Sequence, residues 1–266
     1  MSQPLISLIT VVFNAEKVLA QTLQSAVDQT YQHIELVIVD GGSTDKTLEI
    51  AQQYKSHTGT LISEKDKGIY DAMNKGIRAA KGEWIYFLNA GDHFFSKHTL
   101  EDLFMHHDFT AYDFIYAKVQ TINEPTGVDY HNGKPVKFRD FYFSYPICHQ
   151  ATFTRKRAFD TIGIFDTRLK LTADTEWFTR LFRDFERKTH FVNQVIAFYD
   201  VQGASYHKRM QGYREFLKYT PRYFPWYVNL YNFLLYPLIW CKVKLIRALT
   251  GTRLFSYYRK LKFNPS

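Results

Sequence analysis

Three short clusters of acidic and polar residues, far apart in a chain of 266 residues, are equipped for chemistry. The first is Asp40-Gly41-Gly42-Ser43-Thr44-Asp45. Its glycines let backbone approach a ligand closely, and Asp40 can accept hydrogen bonds from a base N–H or a ribose hydroxyl. The same residues would also make a plain turn, with Ser43 or Thr44 capping a helix. The spacing is neither GxGxxG nor a Walker loop, which excludes the dinucleotide and P-loop readings. The second cluster is Asn89-Ala90-Gly91-Asp92. A carboxylate beside a glycine can hold a divalent ion against a diphosphate, and oxygen ligands suit Mg or Mn; the plainer alternative is a turn with Asp92 solvated. The third is Ala173-Asp174-Thr175-Glu176. Asp174 there is either a helix cap favoured by the dipole or a general base for a hydroxyl. Glu176, two residues on, points to another face. His149, next to Gln150, and His207, after Gly203-Ala204-Ser205, could approach a phosphate, an acceptor or a metal, or be ordinary structural histidines. No His/Cys spacing suggests zinc.

The elements that must position these clusters alternate between strand and helix patterns. Residues 5–13 (LISLITVVF) read as a buried strand, followed by Val18, Leu19, Thr22, Leu23, Ala26 and Val27 at helical spacing. IELVIV (34–39) is a second strand, ending at the Asp40 turn, with a helix from Thr44. A short strand near 60–63, a helix over 70–80 and a strand over 84–88 follow. Strand-like 114–119, helical 155–161 and 175–183, and a late strand over 191–199 complete the pattern. Arg155, Lys156 and Arg157 read as a solvated helix start. Such alternation implies an α/β fold with a mostly parallel sheet, and in open α/β sheets ligands sit beyond the carboxyl ends of the strands. All three clusters fall at such ends or at a helix start.

Charge divides the chain. The net charge is +8, yet no Asp or Glu follows Glu215, and nine Lys and Arg do; residues 1–215 carry 25 basic against 26 acidic residues, a net of −1. Residues 223–241 (YFPWYVNLYNFLLYPLIWC) are uncharged but hold two prolines, two asparagines and two tryptophans. These residues suit a membrane–water boundary better than a hydrocarbon centre, so an interfacial segment is expected, with packing onto the body as the alternative. Nucleic-acid binding fits this uncharged run poorly. Two cysteines, Cys148 and Cys241, suggest no disulfide framework, and a reducing cytosol is expected. The opening apolar run suits a strand better than a signal-peptide core.

LITVVFN (8–14), IELVIVDGGSTDKT (34–47), SEKDKGIYDAMNKGIRAAKGEWIYFLNAGD (63–92), HQATF (149–153) and FDTRLKLTADTEWFTRL (165–181) together resemble family 2 glycosyltransferases with the GT-A fold, over roughly residues 5–205. The likeness is strongest to bacterial enzymes that assemble exopolysaccharide, capsule or O-antigen units. It implies a Rossmann-like sheet flanked by helices in residues 1–212, with a nucleotide-sugar half (1–110) and an acceptor half (111–212); the composition of residues 213–266 adds the expectation of a membrane-associating amphipathic tail. It implies that Asp40, Gly41 and Ser43, with Thr10, Val12 and Asn14 opposite, line the base pocket of a nucleotide-sugar, UDP by default. It implies donor roles for Asp66, Asp71, Asn74, Asn89, Ala90 and Gly91, a divalent cation (Mn or Mg) at Asp92, and Asp174 as catalytic base. His149, Gln150, Arg180 and His207 fall on the acceptor or phosphate side. Two departures stand out: Asn89-Ala90-Gly91-Asp92 replaces a fuller Asp-x-Asp-Asp, and Ala173 stands where a Glu is frequent. The expected protein is an inverting transferase that is cytoplasmic and peripheral on the inner membrane, acting on a lipid-linked or glycan acceptor. A nucleotidyltransferase, or a non-catalytic assembly protein that binds nucleotide-sugars, is the alternative.

Overall fold

The computed structural model describes residues 3–122, 131–200, 208–249 and 252. Among the described residues nine strands, numbered in chain order, form one sheet in the order β3-β2-β1-β4-β8-β6-β9-β5 with β7 paired to β6. The first half is β1 (Ile6–Val12), α1 (Leu19–Val27), β2 (Ile34–Asp40), α2 (Thr47–Gln53), β3 (Thr58–Ser63), α3 (Ile69–Ala79) and β4 (Trp84–Phe87). Its strands β3, β2, β1 and β4 are all parallel. Antiparallel neighbours enter with β5 (His93–Phe94), β7 (His131–Asn132) and β8 (Thr152–Arg155), while β6 (Phe114–Ile122) and β9 (Thr189–Asp200) pair parallel to each other.

β1 is buried along its whole length because helices cover both faces, which is why it reads as an unbroken apolar run. Alternate residues feed two cores. Ile9, Val11, Ile85 and Phe87 meet Met73 and Ile77 of α3 on one side. Leu8, Leu36 and Tyr86 meet Leu19 and Leu23 of α1 and Leu100 and Leu103 of α4 (Thr99–His106) on the other. Gly76 lets α3 press onto β1: a Cβ there would lie 2.5 Å from Ile9 Cγ2.

Three sequence expectations shift. The helix placed from Thr44 starts at Thr47, because the intervening residues pack against Asn14 instead: Asn14 Oδ1 accepts from Thr44 N–H (2.9 Å) and Ser43 Oγ accepts from Asn14 N–H (2.8 Å). The charged run at 155–157 does start a helix, with Arg157 exposed, but Arg155 is not solvated. Arg155 ends β8, is 8% exposed, donates to the carbonyls of Tyr112 (2.7 Å) and Phe109 (3.1 Å), and stacks 4.6 Å over Trp84. Lys156 begins α5 (Lys156–Ile162) and donates to the Ala80 carbonyl.

The third shift concerns the basic C-terminal region. α6 (Ala173–Phe185) is followed by α7 (Arg209–Tyr219) and α8 (Trp226–Leu249). Phe216, Tyr219, Phe224 and Val228 enter the same core as Trp177, Phe178 and Phe182 of α6. Asn232 is buried and donates to the Tyr142 carbonyl (2.8 Å). The outer face of α8 leaves Trp226, Tyr227, Phe233, Leu234 and Leu238 exposed. No helix among the described residues is long and apolar enough to cross a membrane. This region therefore combines packing onto the body with a bare aromatic face.

Candidate active site

β1, β2 and β4 run parallel, so the loops after them share one rim. Asp40 ends β2 and is 1% exposed. Its carboxylate accepts from Ser43 N–H (3.1 Å) and Ser63 Oγ (2.7 Å), which fixes it at the pocket wall. Gly41 makes room for a second carboxylate: a Cβ there would sit 2.4 Å from Asp66 Oδ2. Asp66 in turn accepts from Gly68 N–H (2.8 Å), and Asp71 accepts from Lys67 N–H (2.9 Å), which shapes the approach to α3. Asn14 stands exposed beside this group with φ of 48°, a left-handed conformation that asparagine tolerates.

On the neighbouring strand Thr10 is fully buried within β1, and Val12, 5% exposed, is its last residue and pairs with Asp40 at the same strand end. Asn74 is 2% exposed, and both ends of its amide are engaged with the backbone of Phe165 (2.9 and 3.0 Å). It ties α3 to the loop before α6, a structural role that its burial and both bonds to Phe165 account for.

The second group surrounds Asp174. It lies in the first turn of α6, where the helix dipole favours an anion. Oδ1 accepts from the Tyr70 hydroxyl (2.9 Å) and from Thr175 N–H (2.7 Å). Oδ2 faces His149 Nδ1 at 3.2 Å. The other ring nitrogen of His149 lies 2.9 Å from the Asn89 amide nitrogen. The loop after β4 and the first turn of α6 thus meet through one imidazole. Asp92 is 7% exposed on that loop, and its charge reaches His149.

Electrostatics follow from this packing. Burial alone would raise the Asp174 pKa, but the hydrogen bond and charge of His149, with Thr175 N–H and Tyr70, outweigh it and hold the group below its usual value. Burial opposes protonation of His149, yet the hydrogen bond and charge of Asp174, and then the charge of Asp92, raise its pKa. Burial, reinforced by the Asp174 charge, pushes Tyr70 well up, so it stays protonated and donates.

Some candidates do not join the set. The Arg180 donors are engaged by Glu176 (3.0 Å) and the carbonyls of Ile162 (2.6 Å) and Ile164 (3.0 Å), so it braces the turn before α6 rather than facing a phosphate. Gln150 is buried, with its amide oxygen accepting from the Cys148 thiol (2.9 Å). Gly91 donates its N–H to Thr22 Oγ1 (2.9 Å), and Ala90 beside it is half-buried. His207 lies outside the described residues. Ala173 is fully buried against the core, which explains why no second carboxylate stands there.

Sequence reasoning missed two residues. Tyr70, adjacent to Asp71, carries no signal beyond its place in a helix start. Glu215 does carry one, as the last acidic residue of the chain. It is 7% exposed on α7 and accepts from Lys170 N–H (3.0 Å), Leu171 N–H (2.9 Å) and Thr172 Oγ1 (3.1 Å), directly before Asp174.

Among the described residues no cluster of three or more His, Cys, Asp or Glu could hold a metal unaided. Asp92 is a single carboxylate at the rim, which fits a cation that takes its remaining ligands from diphosphate oxygens and water.

A mostly parallel sheet with flanking helices makes this an α/β protein of the GT-A type, the fold it shares with solved transferase structures. The chain matches glycosyl transferase family 2 over residues 7–163 and belongs to that family. It is a glycosyltransferase. A PGL/p-HBAD biosynthesis glycosyltransferase of Mycobacterium bovis is 34% identical over 225 residues, 83% of this chain and 86% of that one. Chondroitin synthase of Escherichia coli is 29% identical over 77% of this chain and 32% of its own length. Two solved structures share the fold. S. aureus TarS 1-349 in complex with UDP-GlcNAc has a TM-score of 0.63 at 20% identity, covering 80% of this chain and 64% of that one. The mannosyltransferase PcManGT from Pyrobaculum calidifontis, in complex with GDP-Man and Mn2+, has a TM-score of 0.68 at 16% identity, covering 100% and 82%.

Proposed function

We propose that this glycosyltransferase inverts: it moves a sugar from a nucleotide-sugar, with UDP as leaving group, onto a hydroxyl of a lipid-linked or glycan acceptor in assembly of a bacterial surface polysaccharide. The observation that carries this reading is the contact of His149 with both Asn89 of the donor-side loop and Asp174 of α6. A carboxylate held ionised beside the loop that carries Asn89 and Asp92 supports this reading. UDP is favoured by the UDP-GlcNAc complex of TarS, and the GDP-Man complex of PcManGT keeps GDP in the test.

In this scheme Asp40 and Asp66 receive the base and ribose, with Asn14, Gly41 and Ser43 shaping the pocket. Asp92 would hold a divalent cation, Mn or Mg, together with the donor diphosphate; when bound, that ion offsets charge on the leaving oxygen. The acceptor oxygen attacks C1 of the sugar. Its proton passes to Asp174, whose Oδ2 takes one contact where Oδ1 takes two, so Oδ2 has the free lone pair. The C1–O bond breaks as the new bond forms, and its electron pair leaves with the nucleoside diphosphate. One displacement inverts the anomeric centre.

The protein is further proposed to sit on the inner face of the membrane, in the cytoplasm. The exposed aromatic face of α8, with Lys242 and Lys244 near its far end, suits an anionic interface. Phe233→Glu with Leu234→Glu should abolish co-sedimentation with anionic vesicles while leaving the fold intact; undiminished sedimentation refutes this placement. The reaction is tested by a panel of UDP-, GDP- and dTDP-sugars scored for release of nucleoside diphosphate with Mn, Mg or chelator. Metal-stimulated release from a UDP-sugar, increased by a glycan or lipid acceptor, is expected. Binding without turnover across the panel would favour an assembly protein.

A further inference from the structure

The sheet fixes His149 tightly. It opens a short 3-10 turn, His149–Ala151, that leads straight into β8. Thr152 Oγ1 donates to the His149 carbonyl (2.8 Å), and the Tyr86 hydroxyl of β4 donates to the next carbonyl, Gln150 (2.6 Å). An imidazole held this way has little freedom to follow a ligand. We propose that His149 is a positioning residue: its Nδ1–H, facing Asp174 Oδ2, sets the plane of the base, and its Nε2, facing Asn89, locks that plane to the donor-side loop. This inference rests on Asp174 being the base.

The need for such a contact is geometric. Tyr70 and Thr175 both hold Oδ1. Both oxygens turn together about the Cβ–Cγ bond, a broad torsion that contacts at one oxygen alone hold only loosely. The contact at Oδ2 removes that freedom and aims the remaining lone pair toward the acceptor. Misplacing a reacting group by about 1 Å can slow a reaction by about 100-fold.

The same geometry accounts for the Asn where family members carry Asp. An amide can donate to the ring nitrogen or, turned over, accept from it through Oδ1, which as it stands is buried and lacks a partner. A carboxylate can only accept, and would draw the ring proton to Nε2 and away from Asp174.

Two substitutions separate the two ends of the ring. His149→Asn keeps an amide at the level of Nδ1 and loses the reach to Asn89; His149→Gln keeps the reach and loses the donor to Asp174. Turnover is read as release of nucleoside diphosphate from the best donor in the panel, and binding as UDP titration calorimetry. His149→Gln and His149→Ala should lower kcat about 10- to 100-fold, with UDP affinity changed less than about threefold, and His149→Asn, which keeps the Asp174 contact but not the Asn89 one, should fall between wild type and these. A merely structural histidine would give equal losses in Asn and Gln. A histidine acting on the phosphates would weaken UDP binding. Wild-type kcat in His149→Gln, or His149→Asn as slow as His149→Ala, overturns the proposal. Full turnover in Asp174→Asn instead sinks the base reading itself; an inactive Asp174→Asn beside an unimpaired His149→Gln sinks only the positioning role.

Discussion

The two sides of the rim are built differently. On the nucleotide side, polar groups are held mostly by near neighbours in the chain. Asp40 takes Ser43 three residues on, Asp66 takes Gly68 two residues on, and Asp71 takes Lys67 four residues back. Around Asp174, the proposed base, Thr175 N–H is adjacent, but every side-chain support comes from afar. Tyr70 reaches Asp174 across 104 residues, Asn89 reaches His149 across 60, and Glu215 reaches Leu171 across 44. A pocket made of local turns forms when its strands form. A base fixed by distant residues depends on the whole fold, including the C-terminal helices, and can be disturbed from far away.

This contrast predicts separable effects. The largest belongs to the proposed base: Asp174→Asn should lower kcat by about 100- to 10,000-fold while leaving UDP affinity almost unchanged. A parallel loss of binding, measured by calorimetry, would erase the distinction between the two sides. Next comes Glu215→Ala, which strips partners from two backbone N–H groups and a hydroxyl. It should cost about 3 kcal/mol of stability in denaturant unfolding and depress kcat more than donor affinity, although Glu215 touches no substrate. Unchanged kcat in a folded Glu215→Ala protein would mean that α7 does not support the base. On the opposite side, Asp40→Ala should weaken UDP binding by about tenfold and leave kcat at saturating donor within about twofold.

The smallest effect is in pH dependence. Asp174 has a lowered pKa, so its contribution to stability is present above the ordinary carboxylate range, near 3.9, and lost as pH falls through its folded value. His149 has a raised pKa, so its contribution is full below about 6.5 and fades as pH rises through its folded value. The pair therefore stabilises most between those ranges, and Tm should decline shallowly as pH rises past neutrality. His149→Asn should flatten that decline; an unchanged slope would assign it to other groups.

Much of this protein was legible without coordinates. The unbroken apolar runs of β1 and β2, the Asp40-Gly41-Gly42 turn and the helical spacing after it fix elements by local preference and by burial on both faces. Burial limited the reading elsewhere. Asn74 looks like a donor ligand in a motif, yet only packing shows that its amide holds Phe165. Arg155 looks like a surface charge, yet its guanidinium is sealed between Trp84 and two carbonyls.

By itself, the sequence determined the strands, the turns that end them and the acidic residues at those ends, because periodicity and turn chemistry act over a few residues. Only the tertiary structure decided that His149 joins Asn89 to Asp174, that Tyr70 and Glu215 hold the segment 170–174, and that Arg180 turns inward. Those contacts join residues tens of positions apart, and no local preference encodes which distant side chain will fill a buried partner's empty hydrogen bond.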